Sequence, residues 1–352
     1  MKIIYTPHFP DNPYQTLLHA ECEKLGLRLE AAKGVWFLSR VLRRRPDLVH
    51  FHWLHPFYIG RTPLRSVLAL GLFLLQWPLL RLSGARIIWT GHNLGDHEGR
   101  MHPAETLTMR LVSRAASRII VHCPTAGERL LGRYPWIPAE KVAVVPHGSY
   151  IGVYPEGIGR EAARRQLELP ARNRVVLFLG EVRAYKGVVE LAEAFSEPGA
   201  PARTELLIAG RVHDAGLQEA LEARARSSPA IRLHLGYVPD DRIQLYMAAA
   251  DVVATPFRAV LTSGSLILAL SFGKAVIAPR VGCITDLAND AAGFFYDPED
   301  PDGLAEALRE FAEGPADTEA MGRTNRAIAE SSNWPLIARL TREVYEQALQ
   351  EE

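Results

Sequence analysis

Two short stretches of the chain carry residue types that hold an anion. In GEVRAYKG, Gly180 to Gly187, a strand-like run ends at Gly180 and Lys186-Gly187 opens a helix. Arg183 and Lys186 are spaced to put two cations over that helix start, where backbone N–H groups and the helix dipole already favour negative charge. In LTSGSLILALSFGKAVIAP, the residues Thr262, Ser263, Gly264 and Ser265 precede an apolar helical run. A helix beginning there aims unpaired N–H groups at whatever lies before it, and Gly264 lets an anion approach the backbone closely. The plainer readings are a turn with solvated charges and a Ser or Thr N-cap. Two anion sites after different strands of one domain point to a diphosphate. Neither stretch is a Gly-x-Gly-x-x-Gly or Walker loop, so a dinucleotide cofactor and P-loop chemistry are unsupported.

Two other stretches are dense in ionisable groups. TGHNLGDHEGR brings His92, Asp96, His97 and Glu98 together after an apolar run, and HFHWLHP carries His50, His52 and His55. Strand alternation puts His50 and His52 on one face. A metal site there lacks a second ligand cluster, and the three cysteines, Cys22, Cys123 and Cys283, show no metal-binding spacing.

These residues need a scaffold, and the apolar runs supply one. KIIY (2–5), LVHFHW (48–53), ARIIWT (85–90), RIIVHC (118–123) and VAVVPHG (142–148) are strand candidates separated by helical patterns. RVVLFLG (174–180), ELLIAG (205–210), IRLHLG (231–236), ADVVATP (250–256) and AVIAP (275–279) repeat the theme. Strand and helix in alternation give a parallel sheet covered on both faces. Two such series, each about 150 residues long, make two doubly wound domains. The expected bounds are 1–155 and 165–333, with the polar stretch from Ser149 to Arg174 as linker. The tail NWPLIARLTREVYEQAL is an amphipathic helix over 334–352 that need not belong to the second sheet.

The chain has 352 residues, 48% hydrophobic and 23% charged, with a formal net charge of zero. No whole-chain field draws it to nucleic acid. Its start enters a strand directly, without a secretory pattern, so a cytoplasmic location is expected. Pro63 to Leu82 is strongly apolar but interrupted by Arg65, Gln76, Pro78 and Arg81. It reads as a long buried helix, as a helix pair dipping into the inner membrane face, flanked by Arg43, Arg44, Arg45, Arg61 and Arg65, or, least favoured, as a transmembrane span of marginal length.

Taken together, VHFHW, TGHNLGDHE, VVPHGSYIGVYP, LFLGEVRAYKG, LLIAGR, YMAAADVVATPF and LTSGSLILALSFGKAVIAP resemble the GT-B glycosyltransferases related to family four. The resemblance implies an α/β fold of two Rossmann-like domains facing a cleft, with a C-terminal helix crossing back to the first. It implies a nucleotide sugar on the second domain and a saccharide acceptor on the first. By position, Gly180, Arg183, Lys186, Gly187, Thr262, Ser263, Gly264 and Ser265 would hold the donor diphosphate. Tyr237 and Val238 of GYVPDD would sit beside the nucleobase, and His147 and Tyr150 would mark the domain junction. Asn12, Tyr14, His52 and His55 would touch the acceptor, whereas His122, His213 and His234 are assigned to structure or surface. No cofactor or metal is expected, because Arg, Lys and helix amides can stabilise a leaving diphosphate.

One departure matters. Retaining members carry two glutamates eight positions apart, where this chain has Val260 and Leu268. The Thr-Ser-Gly variant resembles β-forming subgroups, so an inverting transfer is favoured. Such a transfer needs a base to deprotonate the acceptor, and Glu98 or Asp96, supported by His97 or His92, is the candidate. The expected activity is hexose transfer to a saccharide acceptor, lipid-linked in keeping with the apolar segment, as in exopolysaccharide assembly. A nucleotide-sugar epimerase and a non-catalytic nucleotide-sugar binder remain alternatives on the same architecture.

Overall fold

The structure is a computed structural model that describes residues 1–32, 34–60, 62–95, 103–196, 200–287 and 289–350. The chain divides into two compact units, Met1–Gly148 with Ser332–Glu352, and Ser149–Ser331.

The first unit alternates β1 (Lys2–Thr6), α1 (Pro13–Lys24), β2 (Arg28–Ala31), α2 (Phe37–Arg44), β3 (Leu48–Phe51), α3 (Pro63–Leu82), β4 (Arg86–Thr90), α4 (Pro103–Ala115), β5 (Arg118–Val121), α5 (Pro124–Arg133) and β6 (Val142–Val144). Its strands form one parallel sheet in the order β2-β1-β3-β4-β5-β6. The second unit runs through α6 (Arg160–Gln166), β7 (Arg174–Leu179), α7 (Val188–Ala194), β8 (Thr204–Gly210), α8 (Ala215–Ser227), β9 (Ile231–Leu235), α9 (Asp240–Ala249) and β10 (Val252–Ala254). It continues through α10 (Gly264–Ser271), β11 (Ala275–Pro279), α11 (Cys283–Leu287), β12 (Gly293–Tyr296), α12 (Gly303–Glu313) and α13 (Thr318–Ser331). Its parallel sheet has the order β12-β11-β10-β7-β8-β9. The last helix, α14 (Trp334–Gln350), returns to the first unit and packs on α1, β4 and β5.

Both sheets reverse direction once, between β1 and β3 in the first and between β7 and β10 in the second. Ligands of such folds bind outside the carboxyl ends of the strands at this reversal. The central strands are nearly all buried, as parallel strands covered on both faces must be.

The expected linker is instead part of the second unit. Tyr150 N donates to Ser271 Oγ at 2.9 Å, and Gly157 N donates to Gln244 Oε1 at 2.8 Å. Arg164, 4% exposed, bonds the Ala249 carbonyl at 3.0 Å and Asp251 at 2.6 Å. These anchors place the boundary at Gly148, before residue 155.

The apolar segment is one continuous helix, α3, and it is apolar on its outer face as well as its inner one. Its inner face holds Phe73 against Phe37, Phe51 and Phe57, and Gln76 Oε1 accepts from Leu38 N at 3.4 Å. Its outer face shows a stripe of Leu64, Val67, Leu68, Leu75, Leu79 and Leu82, with Leu75 73% and Leu82 82% exposed. The buried-helix reading therefore does not hold, and a single helix stands where a helix pair was the alternative.

Candidate active site

The second unit has an open cavity of about 380 Å³ at its sheet reversal. Its floor is where strands end in glycine. Gly180 and Gly210 have φ of +137° and +146°, and a Cβ at Gly210 would lie 1.8 Å from the Gly180 carbonyl oxygen. Only glycine fits such a conformation and so close a backbone approach. One wall is the start of α10. Ser263 caps it, its hydroxyl accepting from Leu266 N at 3.0 Å, and Gly264 and Ser265 line the cavity. The first-turn amides of α10 supply a positive helix end. Lys186 faces the same place: its Nζ lies 3.6 Å, and Ser265 Oγ 3.2 Å, from the position of a Cβ on Gly180. Burial pulls the Lys186 amine down to about 8, against an opposing pull from Glu181. An ammonium so poorly hydrated gains strongly from an incoming anion.

The remaining walls separate by chemistry. Tyr150, Tyr154, Ile243 and Leu268 form the apolar side, and Tyr237 and Val238 border the far end. Glu181 is the carboxylate on the wall, and it is in hydrogen-bond contact with His213 Nε2. Where retaining relatives would have glutamates, Val260 is buried and Leu268 turns an aliphatic surface to the cavity.

Of the donor residues expected from sequence, Gly180, Lys186, Gly264, Ser265, Tyr237 and Val238 line this cavity. The others do not. Arg183 is exposed, off the cavity wall, because it precedes the short 3₁₀ turn Ala184–Lys186 that brings Lys186 inward. Gly187 lines a separate cavity of about 460 Å³ with Pro256, Pro279, Glu190 and Asp300. The hydroxyl of Ser263 is committed to the helix cap, and that of Thr262 lies 3.5 Å from Cys283 Sγ. Arg211, unanticipated from sequence, is on the wall. The signal for it was its position directly after the glycine that ends a strand.

The carboxyl edge of the first sheet is filled instead of open. His50, His52, His92 and His122, from β3, β4, β5 and the residues that follow them, are all buried with Tyr14 and Tyr345. His122 Nδ1 lies 3.0 Å from the Val145 carbonyl, His122 Nε2 3.2 Å from His92 Nδ1, and His92 Nε2 3.2 Å from His52 Nδ1. A carbonyl only accepts, so His122 donates from Nδ1 and, when neutral, accepts at Nε2. His92 must then donate from Nδ1, and His52 likewise. Burial keeps all three neutral: it lowers His122 to about 4 and holds His92 and His52 well below the usual imidazole value, with the neighbouring rings adding to the effect. The chain ends on His52 Nε2, buried with no hydrogen-bond partner among the described residues. His50, stacked on His52 at 4.1 Å, bonds Tyr345 Oη and Thr90 Oγ1, both at 2.7 Å.

This geometry corrects several expectations. His92 uses both ring nitrogens inside the chain, so neither can orient a carboxylate base. His52 is 1% exposed, and Tyr14 packs among His92, His122, His147 and Trp334 as part of the core, not as an acceptor contact. Asn12 caps α1, its Oδ1 accepting from Tyr14 N at 3.0 Å. His55 alone of the four acceptor candidates is an exposed ring, stacked on Phe9 at 6.2 Å. His122, assigned to structure, is the anchor of the chain. Asp96, His97 and Glu98 lie outside the described residues.

A family model described as Glycosyltransferase Family 4 matches residues 3–149, and one described as Glycosyl transferases group 1 matches residues 173–313. A GDP-mannose:glycolipid 4-beta-D-mannosyltransferase of Xanthomonas campestris is 26% identical over 97% of this chain and 90% of its own length. A D-inositol 3-phosphate glycosyltransferase of Streptomyces scabiei is 27% identical over 86% of this chain and 68% of its own. Among solved structures, a sucrose-phosphate synthase from Thermosynechococcus elongatus superposes with a TM-score of 0.76 at 18% identity, covering 98% of both chains. The Anabaena protein HepE, in complex with UDP-glucose, gives 0.74 at 16% identity, again over 98% of both.

Proposed function

Because the chain is a GT-B glycosyltransferase related to glycosyltransferase family four, we propose that it moves a hexose from a nucleoside-diphosphate sugar to a lipid-linked saccharide, with inversion and without a metal. The observation that carries this reading is the cavity at the second sheet's reversal, where Lys186 and the start of α10 converge on one spot beside Gly180. A diphosphate leaving group placed there meets an ammonium and helix amides already oriented toward it, which lowers the cost of charge developing on the leaving oxygen. The apolar Leu268 leaves the sugar without a carboxylate on that wall, in keeping with direct displacement by the acceptor oxygen. In that step the acceptor O–H loses its proton to a base, the new C–O bond forms, and the old one breaks to release nucleoside diphosphate. The base is assigned to the segment after β4, with Glu98 or Asp96 first and His97 in support.

The relative from Xanthomonas is named for a glycolipid acceptor, and the outer face of α3 supports the same class here. Its stripe of exposed leucines is joined by Trp36, 69% exposed, and by Ile59. Arg43 and Arg44 lie in the last turn of α2, which packs on α3. Apolar surface beside cations is the composition that settles into an anionic bilayer interface.

Incubation with hexose donors and a polyprenyl-diphosphate saccharide tests the reading. It expects a β-linked glycoside by NMR from an α-linked donor, undiminished by EDTA. An α-linked product would reject inversion, and loss of activity in EDTA would reject metal independence. Flotation with anionic vesicles at low salt should carry the protein upward and Leu68→Glu with Leu75→Glu should abolish it; wild-type protein left in the pellet fraction would remove the membrane contact.

A further inference from the structure

The donor cavity has two cations on its wall, and the strand order sorts them. Lys186 belongs to the β7 end, beside Gly180 and the start of α10. Arg211 follows Gly210 at the end of β8, and its guanidinium lies 5.4 Å from the ring centre of Tyr237, just past the end of β9. Strands β7, β8 and β9 are neighbours in that order. With about 4.8 Å between adjacent strands, Tyr237 lies roughly 10 Å from the Lys186 end. Arg211 therefore leans away from the anion end, toward the end left for the nucleoside.

Three facts give that end a binding chemistry. Tyr237 is 64% exposed, so its ring is a surface on which a planar ring can stack. The Arg211 side chain forms no ion pair among the described residues, so its donors are uncommitted. Its backbone is fixed, because Arg211 O accepts from Val182 N at 2.8 Å and Gly210 O from Gly236 N at 2.9 Å. An uncommitted planar fork of N–H donors beside a stacking platform suits a base edge with two adjacent acceptors. Guanine presents O6 and N7 side by side, whereas adenine pairs N7 with an amino donor and uracil keeps its two carbonyls apart across N3–H.

Resting on the donor-site reading above, we propose that Arg211, set against Tyr237, reads the nucleobase and that the donor is a guanosine-diphosphate sugar. The test is calorimetric titration of the intact protein with GDP, UDP and ADP, repeated on Arg211→Ala and Arg211→Lys. A bidentate contact discriminates between bases by about tenfold or more, so GDP should bind at least that much tighter than the other two. Both substitutions should bring GDP to within about threefold of UDP and leave UDP within about twofold of its wild-type value. Arg211→Lys keeps the charge and the stem, and it serves if the alanine variant folds poorly. Equal weakening of all three nucleotides would make Arg211 a phosphate contact and overturn the assignment, as would no base preference or a preference that survives both variants. If wild-type protein binds no nucleotide, the donor site itself is misplaced and this inference falls with it.

Discussion

The two sheets of this protein share a topology class and treat the same position in opposite ways. At the carboxyl edge of the first, rings fill the space: Tyr14, His52, His92 and His122 pack face and edge with spacings of 5.0 to 5.9 Å. At that edge of the second, side chains are withdrawn: strands end in glycine, a helix begins with Gly264 and Ser265, and a cavity results. The first arrangement spends most of its ring nitrogens on one another, through a chain of neutral imidazoles that stops at His52 Nε2. The second leaves its positive groups unsatisfied, which is what an anion site requires. The lesson is that ionisable residues at the functional end of an α/β sheet divide into those spent on one another and those held open, and only hydrogen-bond partners tell them apart.

The largest effect should come from the open group. Lys186→Met should lower kcat/KM by about 10²–10³, as expected for loss of a charge-stabilising donor, with far-UV circular dichroism unchanged. Retained activity would place the diphosphate elsewhere. Next is the filled edge, which should respond to acid. A His held below its ordinary 6.5 in the folded state gives stability that is complete above that value and is lost as pH falls toward the folded value. His122, at about 4, and His19, His50 and His147, at about 3, share this sign, as do His52 and His92. One imidazole lowered to about 4 weakens the fold by about 3 kcal/mol between pH 7 and pH 4. Urea unfolding followed by Trp fluorescence should therefore show a transition assigned to the first unit that moves to lower urea below pH 6.5. The charges that bear on this region are few: its neighbours are the other histidines and Tyr5, Tyr14, Tyr345 and Cys22, with Glu21 and Glu23 on α1. A transition independent of pH would mean that these rings are hydrated.

Breaking the chain by one link should cost less. His122→Phe keeps the ring volume but leaves His92 Nδ1–H and the Val145 carbonyl without partners, a loss of about 1–3 kcal/mol, read as a lower urea midpoint with nucleotide affinity intact. The smallest effect should be at Arg183. Placed off the cavity wall, Arg183→Ala should leave the nucleoside-diphosphate Kd within about twofold, below about 0.4 kcal/mol; a tenfold loss would return it to the site.

Much of this was legible in the sequence, and the gaps have physical causes. The strands seen from apolar runs are the buried central ones and the edge strands β6 and β9, whose VAV and IRLHL still carry enough apolar residues to stand out. The two that were missed, β2 (Arg28–Ala31) and β12 (Gly293–Tyr296), are edge strands, and RLEA carries too little apolar content to stand out. The cavity end formed by Lys186, Gly264 and Ser265 was legible because these residues lie in two local motifs. Arg183 was misplaced because spacing along the chain does not say which way a 3₁₀ turn faces. The imidazole chain was invisible because its members are 30 and 40 residues apart in sequence and meet only through strand register. Arg211 needed the knowledge that β8 lies between β7 and β9.

The central claim is that the second unit's open cavity grips the donor diphosphate. A crystal structure with an intact nucleoside diphosphate tests it most directly. The account predicts a phosphate within hydrogen-bond reach of Lys186 Nζ and the first amides of α10, with the nucleoside running toward Tyr237. A diphosphate bound away from Lys186 and α10, with that cavity empty, would contradict it.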